Sequence, residues 1–355
     1  MTFNFYETEV GKQQAPVDVN AEYYPHELTP KKYPKGSKVL VTDSDILCFK
    51  LASVGDDRVC LVSKNGKTKE FKNRTEFKKL HKDKGWDFSE FTFEDILKPK
   101  PIEHCLGNLK NAIKNIKQRT GCTHIELYIG GSDNFRVDIP LPVKYKSARK
   151  DSLRPTYLKE CKDYMIKYHK ALKIKGVECD DFVQQRMWEL YQDGTEAMLY
   201  TNDKDALQSI KHPITTYNPD KDEIKTFKQG LGELWIQSEK YVKGSGLKWL
   251  ILQTLVGDSS DGYKGNDLTD VDYGEKTYYK DVSNIENEKD LLTFAANKWK
   301  EWYPSPITYK AWDDKEYTKN WLEIAEMYWS CAYMRISSDD QTTFESLLKE
   351  WCVEY

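Results

Sequence analysis

Residues 38–45, KVLVTDSD, decide the fold. The run from Val39 to Thr42 is apolar or β-branched throughout, which is typical of a strand buried on both faces. Strands of that kind belong to the parallel sheet of an α/β protein. Asp43 and Asp45 follow the strand directly, so two carboxylates are expected at the end where it leaves the sheet.

Two further predicted strands, around 171–177 and 197–200, are also followed by acidic residues. The five carboxylates are Glu178, Asp180 and Asp181 after the first strand, and Asp203 and Asp205 after the second. The carboxyl ends of parallel strands meet at the same sheet edge, where ligands of α/β proteins bind. A fourth acidic pair, Asp258 and Asp261, lies in VGDSSDG after a predicted helix over 247–255.

One acidic pair after a strand is usually a turn or a helix N-cap. Several pairs at one edge are less easily explained in that way, because clustered carboxylates repel one another unless they bind cations. Ligands that offer only oxygen favour Mg²⁺, with Mn²⁺ as a substitute. Two such ions side by side are a recurrent device for phosphodiester hydrolysis.

The other predicted elements alternate with these strands and complete an α/β pattern. They are a hairpin with strands 58–63 and 68–71 around Asn65-Gly66, a helix over 102–116 that ends by Gly121, a strand over 124–129, a helix from Asp181, and a helical, aromatic-rich tail from about 318. The fold class predicted is α/β, with a mostly parallel central sheet flanked by helices.

Charge is unevenly distributed along the 355 residues, although 54 Lys and Arg nearly balance 57 Asp and Glu. Residues 64–84 carry nine basic residues against three acids, and 141–175 carry eleven against three. Each basic run is either an ordinary solvated face or a phosphate-binding surface. Basic segments beside an acidic cluster suit a nuclease, in which they hold the phosphates.

Composition argues against several other classes. The mean hydropathy is −0.75, and the longest apolar stretch, 249–256, is interrupted by Gln253, so no membrane span is expected. The first residues, MTFNFYETEV, are polar and acidic and do not predict a secretory signal. The eight scattered cysteines form no C-x-x-C pair, which favours reduced thiols in a cytoplasm over a zinc site or disulfides.

Several motifs resemble one known family when they are taken in order. They are VTDSD, GSDNFR, YKSAR, GVECDD, TNDKD and VGDSSDGYKG. This combination resembles the bacteriophage 5′→3′ exonucleases of the 5′-nuclease (flap endonuclease) superfamily, which has a PIN-like fold, and among them those of short-tailed phages. The likeness extends from about 38 to 276. It implies an irregular lead-in over 1–36, a catalytic domain over 37–240 with a basic arch at 141–175, and a helical DNA-binding part over 241–355.

The resemblance also implies two metal ions and assigns their ligands. These are Asp43, Asp180 and Glu178 for the first ion, Asp203, Asp205 and Asp261 for the second, and Asp181 and Asp258 as outer or shared ligands. The family usually has an aspartate where this chain has Gly131. Asp133 or Asp45 would then compensate, and a Gly131→Asp change is expected to raise activity at low Mg²⁺.

Nucleic-acid contacts follow from the same resemblance. Lys146 and Arg149 of YKSAR would touch phosphates at the base of the arch and assist catalysis. Tyr145 would stack on a base or belong to the core, and Arg136 would bind DNA or form a structural salt bridge. Segment 256–279 resembles the helix–three-turn–helix module that grips duplex phosphates, often around K⁺. The matching positions are Gly265, Gly274, Lys276 and Thr277, although the acidic Asp272 in this hairpin should weaken the grip.

The function expected is a Mg²⁺-dependent 5′→3′ exonuclease and flap endonuclease. It would act on duplex, nicked or 5′-flap DNA, and on RNA–DNA hybrids. Two alternatives stay open: a catalytically weak scaffold that binds branched DNA, which Gly131 favours, and a PIN-like endoribonuclease, which segment 256–279 disfavours.

Overall fold

The strand predicted at residues 38–42 lies inside the main sheet of the computed structural model, which describes residues 17–148, 153–239 and 241–355. The strands within these residues are β1 (Lys38–Asp43), β2 (Asp56–Lys64), β3 (Lys67–Phe71), β4 (Thr92–Pro99), β5 (His124–Asn134), β6 (Leu172–Gly176), β7 (Glu196–Tyr200), β8 (Ile214–Asn218), β9 (Glu223–Phe227), β10 (Leu234–Ile236), β11 (Val242–Gly244), β12 (Ile307–Lys310) and β13 (Glu316–Lys319). The helices are α1 (Ser44–Val54), α2 (Arg74–His81), α3 (Ile102–Thr120), α4 (Leu158–His169), α5 (Cys179–Gln192), α6 (Gly246–Leu255), α7 (Glu275–Val282), α8 (Glu288–Trp302), α9 (Trp321–Ala332) and α10 (Phe344–Glu350).

The main sheet has the strand order β6-β5-β1-β7-β8-β9. All neighbouring pairs are parallel except β8 and β9, which form an antiparallel hairpin. Thr42 lies opposite both Leu127 of β5 and Tyr200 of β7, so the central strands end at nearly the same level. The predicted α/β class with a mostly parallel sheet is therefore confirmed.

Alternate residues of β1 face opposite sides of the sheet, and both sides are covered by helices. Leu40 packs in a cluster with side chains of α1, α3 and α4, whereas Val39 and Val41 pack with α5. All three are fully buried, which stabilises the fold by about 1.5–3 kcal/mol for each side chain. This two-sided burial explains why the strand shows no alternation of polar and apolar residues.

Helix α5 begins earlier than the sequence predicts. Its first residue is Cys179, and Glu178 rather than Asp181 occupies the N-cap position. The difference matters because Asp180 and Asp181 then lie in the first turn and point away from each other around the helix axis. The helix predicted over 102–116 is longer, and it ends at Gly121 with φ +65°, as its glycine indicates.

Residues 56–99 form a separate antiparallel sheet, β3-β2-β4, with α2 packed on it. Asn65 and Gly66 have positive φ values of 52° and 73°. Two consecutive positive values are what a type I′ hairpin turn requires, so the predicted hairpin is confirmed.

Helices α6 to α10 share one aromatic core. Trp249, Trp299 and Trp329 are among its fully buried members. The tail predicted to be helical from about 318 contains α9 and α10, and the β12–β13 hairpin ends at its start. In the described residues no helix is both long and apolar enough to cross a bilayer.

Two segments differ from the sequence-based expectation. The described part of the lead-in is not wholly irregular, because Tyr23 forms a parallel bridge to Ile174 and so extends the sheet beyond β6. The segment expected as an arch, 141–175, contributes α4 and β6 to the sheet domain. Cys161 and Met165 of α4 are fully buried, so α4 packs within the sheet domain.

Candidate metal centre

The predicted carboxylates lie together at the carboxyl edge of the main sheet. A cleft of about 760 Å³ opens there. Its acidic lining residues include Asp43, Asp45, Asp133, Glu178, Asp180 and Asp203. Glu178 and Asp180 also border a smaller inner space of about 20 Å³, lined by Asp181, Asp205 and Asp261 as well. Acidic groups therefore line both the cleft and the inner space, which have Glu178 and Asp180 in common.

Asp43 sits where β1 passes into α1. Its carboxylate accepts a hydrogen bond of 2.9 Å from the backbone N–H of Asp45, which caps the helix. The side chain is 7% exposed. Burial, followed by the nearby charge of Asp45, raises the pKa of Asp43 to about 7. A bound cation would stabilise the ionised form of this carboxylate at neutral pH.

Asp180 and Asp205 are perturbed in the same direction. Burial and the charges of Asp43 and Glu178 raise the pKa of Asp180 well above its usual range. Burial and the charge of Asp203 raise the pKa of Asp205 to about 7. In the described part of the chain no hydrogen-bond donor contacts the Asp180 carboxylate. The repulsion among these acids is therefore compensated by the protein only in part, since Lys204 lies 3.7 Å from Asp205.

The donors at this edge fit a hard divalent cation. They are carboxylate oxygens without an imidazole or a thiolate among them, which suits Mg²⁺ or Mn²⁺. Cys179, which is also at the edge, has its pKa raised well above the usual value by burial and neighbouring carboxylates, and so remains a thiol. No three such groups in the described residues converge closely enough to form a ready-made metal site.

Two lysines form ion pairs with some of these acids, which explains part of the distance between the acids. Lys146 Nζ forms an ion pair with Glu178 and lies 3.7 Å from Asp261. Lys204 Nζ lies 2.8 Å from Asp258 and 3.7 Å from Asp205. Each ammonium thus holds carboxylates from two different elements.

Asp258 illustrates the effect of such a lysine. Burial acts to raise the pKa of Asp258, but the Lys204 ammonium and hydrogen bonds from Ser260 outweigh it and lower the pKa to about 2. Sequence reasoning missed Lys204, although it is the lysine of TNDKD. The sequence feature that could have identified Lys204 is its position between Asp203 and Asp205, shortly after a buried strand.

Arg136 is a structural residue, and the prediction that it contacts DNA is wrong. Its side chain is 3% exposed, and its guanidinium donates to both oxygens of Asp181, one of them at 2.9 Å. It also donates to the carbonyl oxygens of Cys331 at 3.1 Å and Tyr333 at 2.7 Å. The salt-bridge alternative is therefore the correct one. Both carboxylate oxygens of Asp181 accept from this guanidinium and Asp181 is 1% exposed, an arrangement that agrees with the outer position expected for it.

Tyr145 belongs to the core and does not stack on a base. It is 4% exposed. Its hydroxyl donates to Asp261 at 2.7 Å and lies 3.1 Å from Glu178. It thereby orients two of the acids at the metal edge.

The expected replacement of Gly131 by a metal-binding aspartate does not fit the structure. A Cβ there would lie 2.6 Å from the carbonyl oxygen of Ile174 and 3.2 Å from the Glu22 carboxyl carbon. The side chain would therefore collide with β6. Both acids expected to compensate, Asp133 and Asp45, line the cleft, and Asp45 is also paired with Lys162 at 2.8 Å.

Asp220 is a cleft residue that sequence reasoning missed. It accepts a hydrogen bond of 2.8 Å from Asn202 and pairs with Lys50 at 2.5 Å. It follows β8 by two residues, which is the same position that identified the other acids. Because the β8 strand was not predicted, Asp220 was not recognised as an acid that follows a strand.

The segment expected to grip duplex DNA is a helix–loop–helix made by α6, residues 256–274 and α7. Gly265 is buried, and a Cβ there would meet the carbonyl oxygen of Thr254 at 2.5 Å, so its role is packing rather than the predicted DNA contact. Gly274, Lys276 and Thr277 are exposed at the start of α7, where backbone N–H groups are free to meet phosphates. Arg149, the remaining predicted contact, lies outside the described residues.

Comparison with known proteins gives one relative at the sequence level. The chain is 28% identical over 184 residues to the 5′-3′ exonuclease of Buchnera aphidicola, a stretch that covers 50% of this chain and 60% of the relative. This chain thus spans less than two thirds of that protein's length. No protein-family model matches the chain. The sequence match confirms the resemblance to the 5′-nuclease superfamily.

Solved structures with a similar outline include two of bacteriophage T5 proteins. One is a flap endonuclease in complex with DNA and metal ions, with a TM-score of 0.47. The other is a 5′-exonuclease with bound zinc ions, with a TM-score of 0.43. Each is 13% identical, and each match covers 89% of this chain and 98% of the T5 chain.

Proposed function

We propose that this protein is a divalent-metal-dependent 5′→3′ exonuclease and flap endonuclease that hydrolyses DNA. The observation that carries the proposal is the group of buried acids at the sheet edge. Burial and mutual repulsion raise the pKa values of Asp43, Asp180 and Asp205, and bound cations relieve that repulsion. Perturbed acids in an open cleft are typical of a catalytic site.

Two Mg²⁺ ions, or Mn²⁺ in their place, would be held by carboxylates of this edge. The ligands proposed are Asp43, Asp180 and Glu178 for one ion, and Asp203, Asp205 and Asp261 for the other. Bound cations of this type lower the pKa of water and neutralise charge that develops on a phosphate. No protein side chain is then required as the nucleophile that attacks the phosphate.

The chain's own residues orient the acids and the phosphate. Tyr145 holds Asp261 through its hydroxyl, and Lys146 bridges Glu178 and Asp261. Because Lys146 keeps one-fifth of its side chain exposed beside the cleft, its ammonium is also placed to meet a phosphate oxygen. We assign Lys146 to substrate positioning at the scissile phosphate.

The substrates proposed are duplex, nicked and 5′-flap DNA, together with RNA–DNA hybrids, in a cytoplasm. The exposed start of α7, with Lys276 and Thr277, would hold duplex phosphates, and K⁺ would bind in the preceding loop. Asp272 lies two residues before Gly274 and weakens that grip.

A second candidate function is a scaffold that binds branched DNA with little cleavage. Gly131 favours it, because the chain lacks an acid there and the surrounding backbone leaves no room for one. A small PIN-like endoribonuclease is less consistent with the large aromatic core shared by helices α6 to α10.

The deciding experiment uses one 5′-flap duplex labelled at the 5′ end in one sample and at the 3′ end in another. With Mg²⁺ we expect short 5′-labelled products and nearly full-length 3′-labelled products, and with EDTA no reaction. Asp203→Asn should abolish cleavage and leave flap binding largely intact, because metal ligands act mainly in the transition state. Asp193→Asn, at the far end of α5, is the matched control and should cleave normally.

The same assay separates the candidates. Tight flap binding without cleavage in Mg²⁺ or Mn²⁺ would support the scaffold. Cleavage in EDTA, or normal turnover by Asp203→Asn, would contradict the metal centre.

A further inference from the structure

The antiparallel sheet of residues 56–99, which we call the inserted sheet, has no part in the metal centre. It lies between α1 and α3 and has its own small core, in which Cys60 and Phe77 are buried. None of the motifs that resemble the nuclease family falls within it. Its surface therefore needs a separate explanation.

One end of the inserted sheet exposes a stack of aromatic rings. Trp86 is 40% exposed and lies parallel to His81, with ring centroids 4.4 Å apart. Its other neighbour is Phe91, at 5.5 Å and 19°. Exposed aromatic rings held rigidly in this way are the surfaces on which unpaired bases stack, with about 1–3 kcal/mol for each base.

Lysines surround this stack. The Lys84 ammonium lies 5.1 Å from the centre of the Trp86 ring, and the Lys64 ammonium lies 4.8 Å from that of Phe91. Five more lysines of this sheet are exposed: Lys67, Lys69, Lys72, Lys78 and Lys79. Lys64 is paired with Glu90, but aromatic rings interleaved with exposed lysines match a nucleic-acid strand better than an apolar protein partner.

Two grooves follow one another along the chain between the metal centre and the inserted sheet. The cleft that begins at Asp43 continues along α1 as far as Ser53. A second groove of about 680 Å³ begins three residues later, at Asp56, and is lined by Lys69 and Phe71.

Phe71, a buried member of the inserted sheet's core, contacts the aromatic stack from inside. Its ring lies 6.0 Å from that of His81, on which Trp86 stacks. In addition, Asp56 accepts a hydrogen bond of 2.8 Å from the backbone N–H of Thr156, which ties the inserted sheet to the segment before α4. A strand leaving the cleft along α1 would therefore run towards the inserted sheet.

We propose that the inserted sheet is a binding site for single-stranded nucleic acid, in which Trp86 stacks on a base and the surrounding lysines contact phosphates. The path of the bound strand into the cleft rests on the proposed nuclease function, whereas the binding itself does not. The flexible, unpaired arm of a branched substrate has the exposed bases that this surface requires.

The test measures fluorescence anisotropy of a labelled 20-nucleotide oligo-dT with the full-length protein in EDTA, where cleavage is not expected. Trp86→Ala should weaken binding by about fivefold to one hundredfold, as expected for one lost stacking contact. Lys78→Glu with Lys79→Glu should lower the slope of log affinity against log salt by about one to two, because each phosphate contact on a single strand contributes about 0.7.

Matched controls come from other exposed positions. Trp351→Ala, which removes a tryptophan that is 38% exposed on the C-terminal helices, should leave binding unchanged. Lys114→Glu with Lys117→Glu on α3 has the same charge change and should not reproduce the effect of the inserted-sheet pair. The lysine variants lie at the surface, so they test the proposal even where Trp86→Ala disturbs local packing.

Equal affinity and salt slope for both inserted-sheet variants and their controls would overturn the proposal. Weakened binding to blunt duplex DNA alone, with oligo-dT binding unchanged, would also overturn it, because the site would then not be specific for single strands. A loss of oligo-dT binding in Trp86→Ala supports the site whether or not the protein proves to be a nuclease.

Discussion

The buried contact between Arg136 and Asp181 gives the sharpest test of the structure. The guanidinium donates to the carboxylate, to Glu178 at 3.3 Å, and to the carbonyl oxygens of Cys331 and Tyr333. Arg136→Met keeps most of the apolar stem of the side chain and removes every one of these donors. Asp181, with 1% of its side chain exposed, is then left as a buried charge for which the described residues supply one remaining donor, the backbone N–H of Arg335 at 3.2 Å.

The expected cost is large. Removing one partner of a buried ion pair destabilises a protein by about 3–5 kcal/mol, because the remaining charge is uncompensated. An unfolding entropy of about 2.1 cal/mol/K per residue gives roughly 0.75 kcal/mol/K for 355 residues. The melting temperature should therefore fall by about 4–7 °C, provided that the chain unfolds as one unit.

Two further variants complete the assay, which is urea denaturation followed by circular dichroism. Arg136→Met combined with Asp181→Asn removes both charges and should recover about 1–3 kcal/mol of the loss. Arg119→Met is the matched control, because its ion pair with Asp222 is more than half exposed on both sides and should be worth less than about 1 kcal/mol.

The reasoning would be refuted by a particular combination of results. If Arg136→Met unfolds within about 1 kcal/mol of the native protein and loses affinity for DNA, then Arg136 contacts the nucleic acid. A stable double variant with unchanged flap binding would instead assign the arginine to the fold alone.

Three other changes test separate features. Gly131→Ala should cost about 1–3 kcal/mol in urea denaturation, since its Cβ would press on the β6 backbone, and an unchanged midpoint would contradict that geometry. In EDTA at pH 8, Asp205→Asn should raise the melting temperature by relieving repulsion, whereas Asp258→Asn should lower it by breaking the pair with a lysine; shifts of the same sign would refute the charge assignment. Burial lowers the pKa of His212 to about 4, so the unfolded chain binds more protons between pH 6.5 and 4, and stability should fall by up to about 3 kcal/mol as pH falls through that window. His212→Phe should flatten that part of the stability–pH curve, and an undiminished slope would show that other groups cause it.

The centre of the fold could be predicted because its signals are local. Four consecutive buried residues define β1, the turn Asn65-Gly66 defines a hairpin, and Gly121 ends α3. In each case a short segment has one favourable conformation, so its neighbours in space hardly matter. The acids after β1, β6 and β7 could be grouped for the same reason, since strand direction alone sets the edge at which they lie.

The missed elements depend on distant contacts instead. β9 pairs with β8 at the edge of the sheet, and four of its five residues are exposed, so it lacks an apolar pattern. Tyr23 forms a bridge to Ile174 from a segment rich in proline, where no periodicity announces a strand. Such pairing is specified by the partner strand and is not visible in the segment itself.

Residue roles at the site were harder to predict than residue positions. Arg136 and Tyr145 lie where the motifs put them, yet burial by the C-terminal helices gives both a structural role. Gly265 is likewise buried against α6 rather than presented to a ligand. Burial between elements far apart in sequence decides whether a polar side chain meets solvent, and no local pattern encodes it.

The electrostatics divide the acids of the site into two groups, which the sequence alone presents as one. Glu178 and Asp258 have cationic partners in the protein, and their pKa values are lowered despite burial. The pKa values of Asp43, Asp180 and Asp205 are raised, because burial and neighbouring acids outweigh any cation of the chain that reaches them. A cation from solution gains most where the protein supplies least positive charge, so the second group is where metal binding should be centred. The lysines beside the first group then hold Glu178 and Asp258 in place next to the acids at which metal binding is centred.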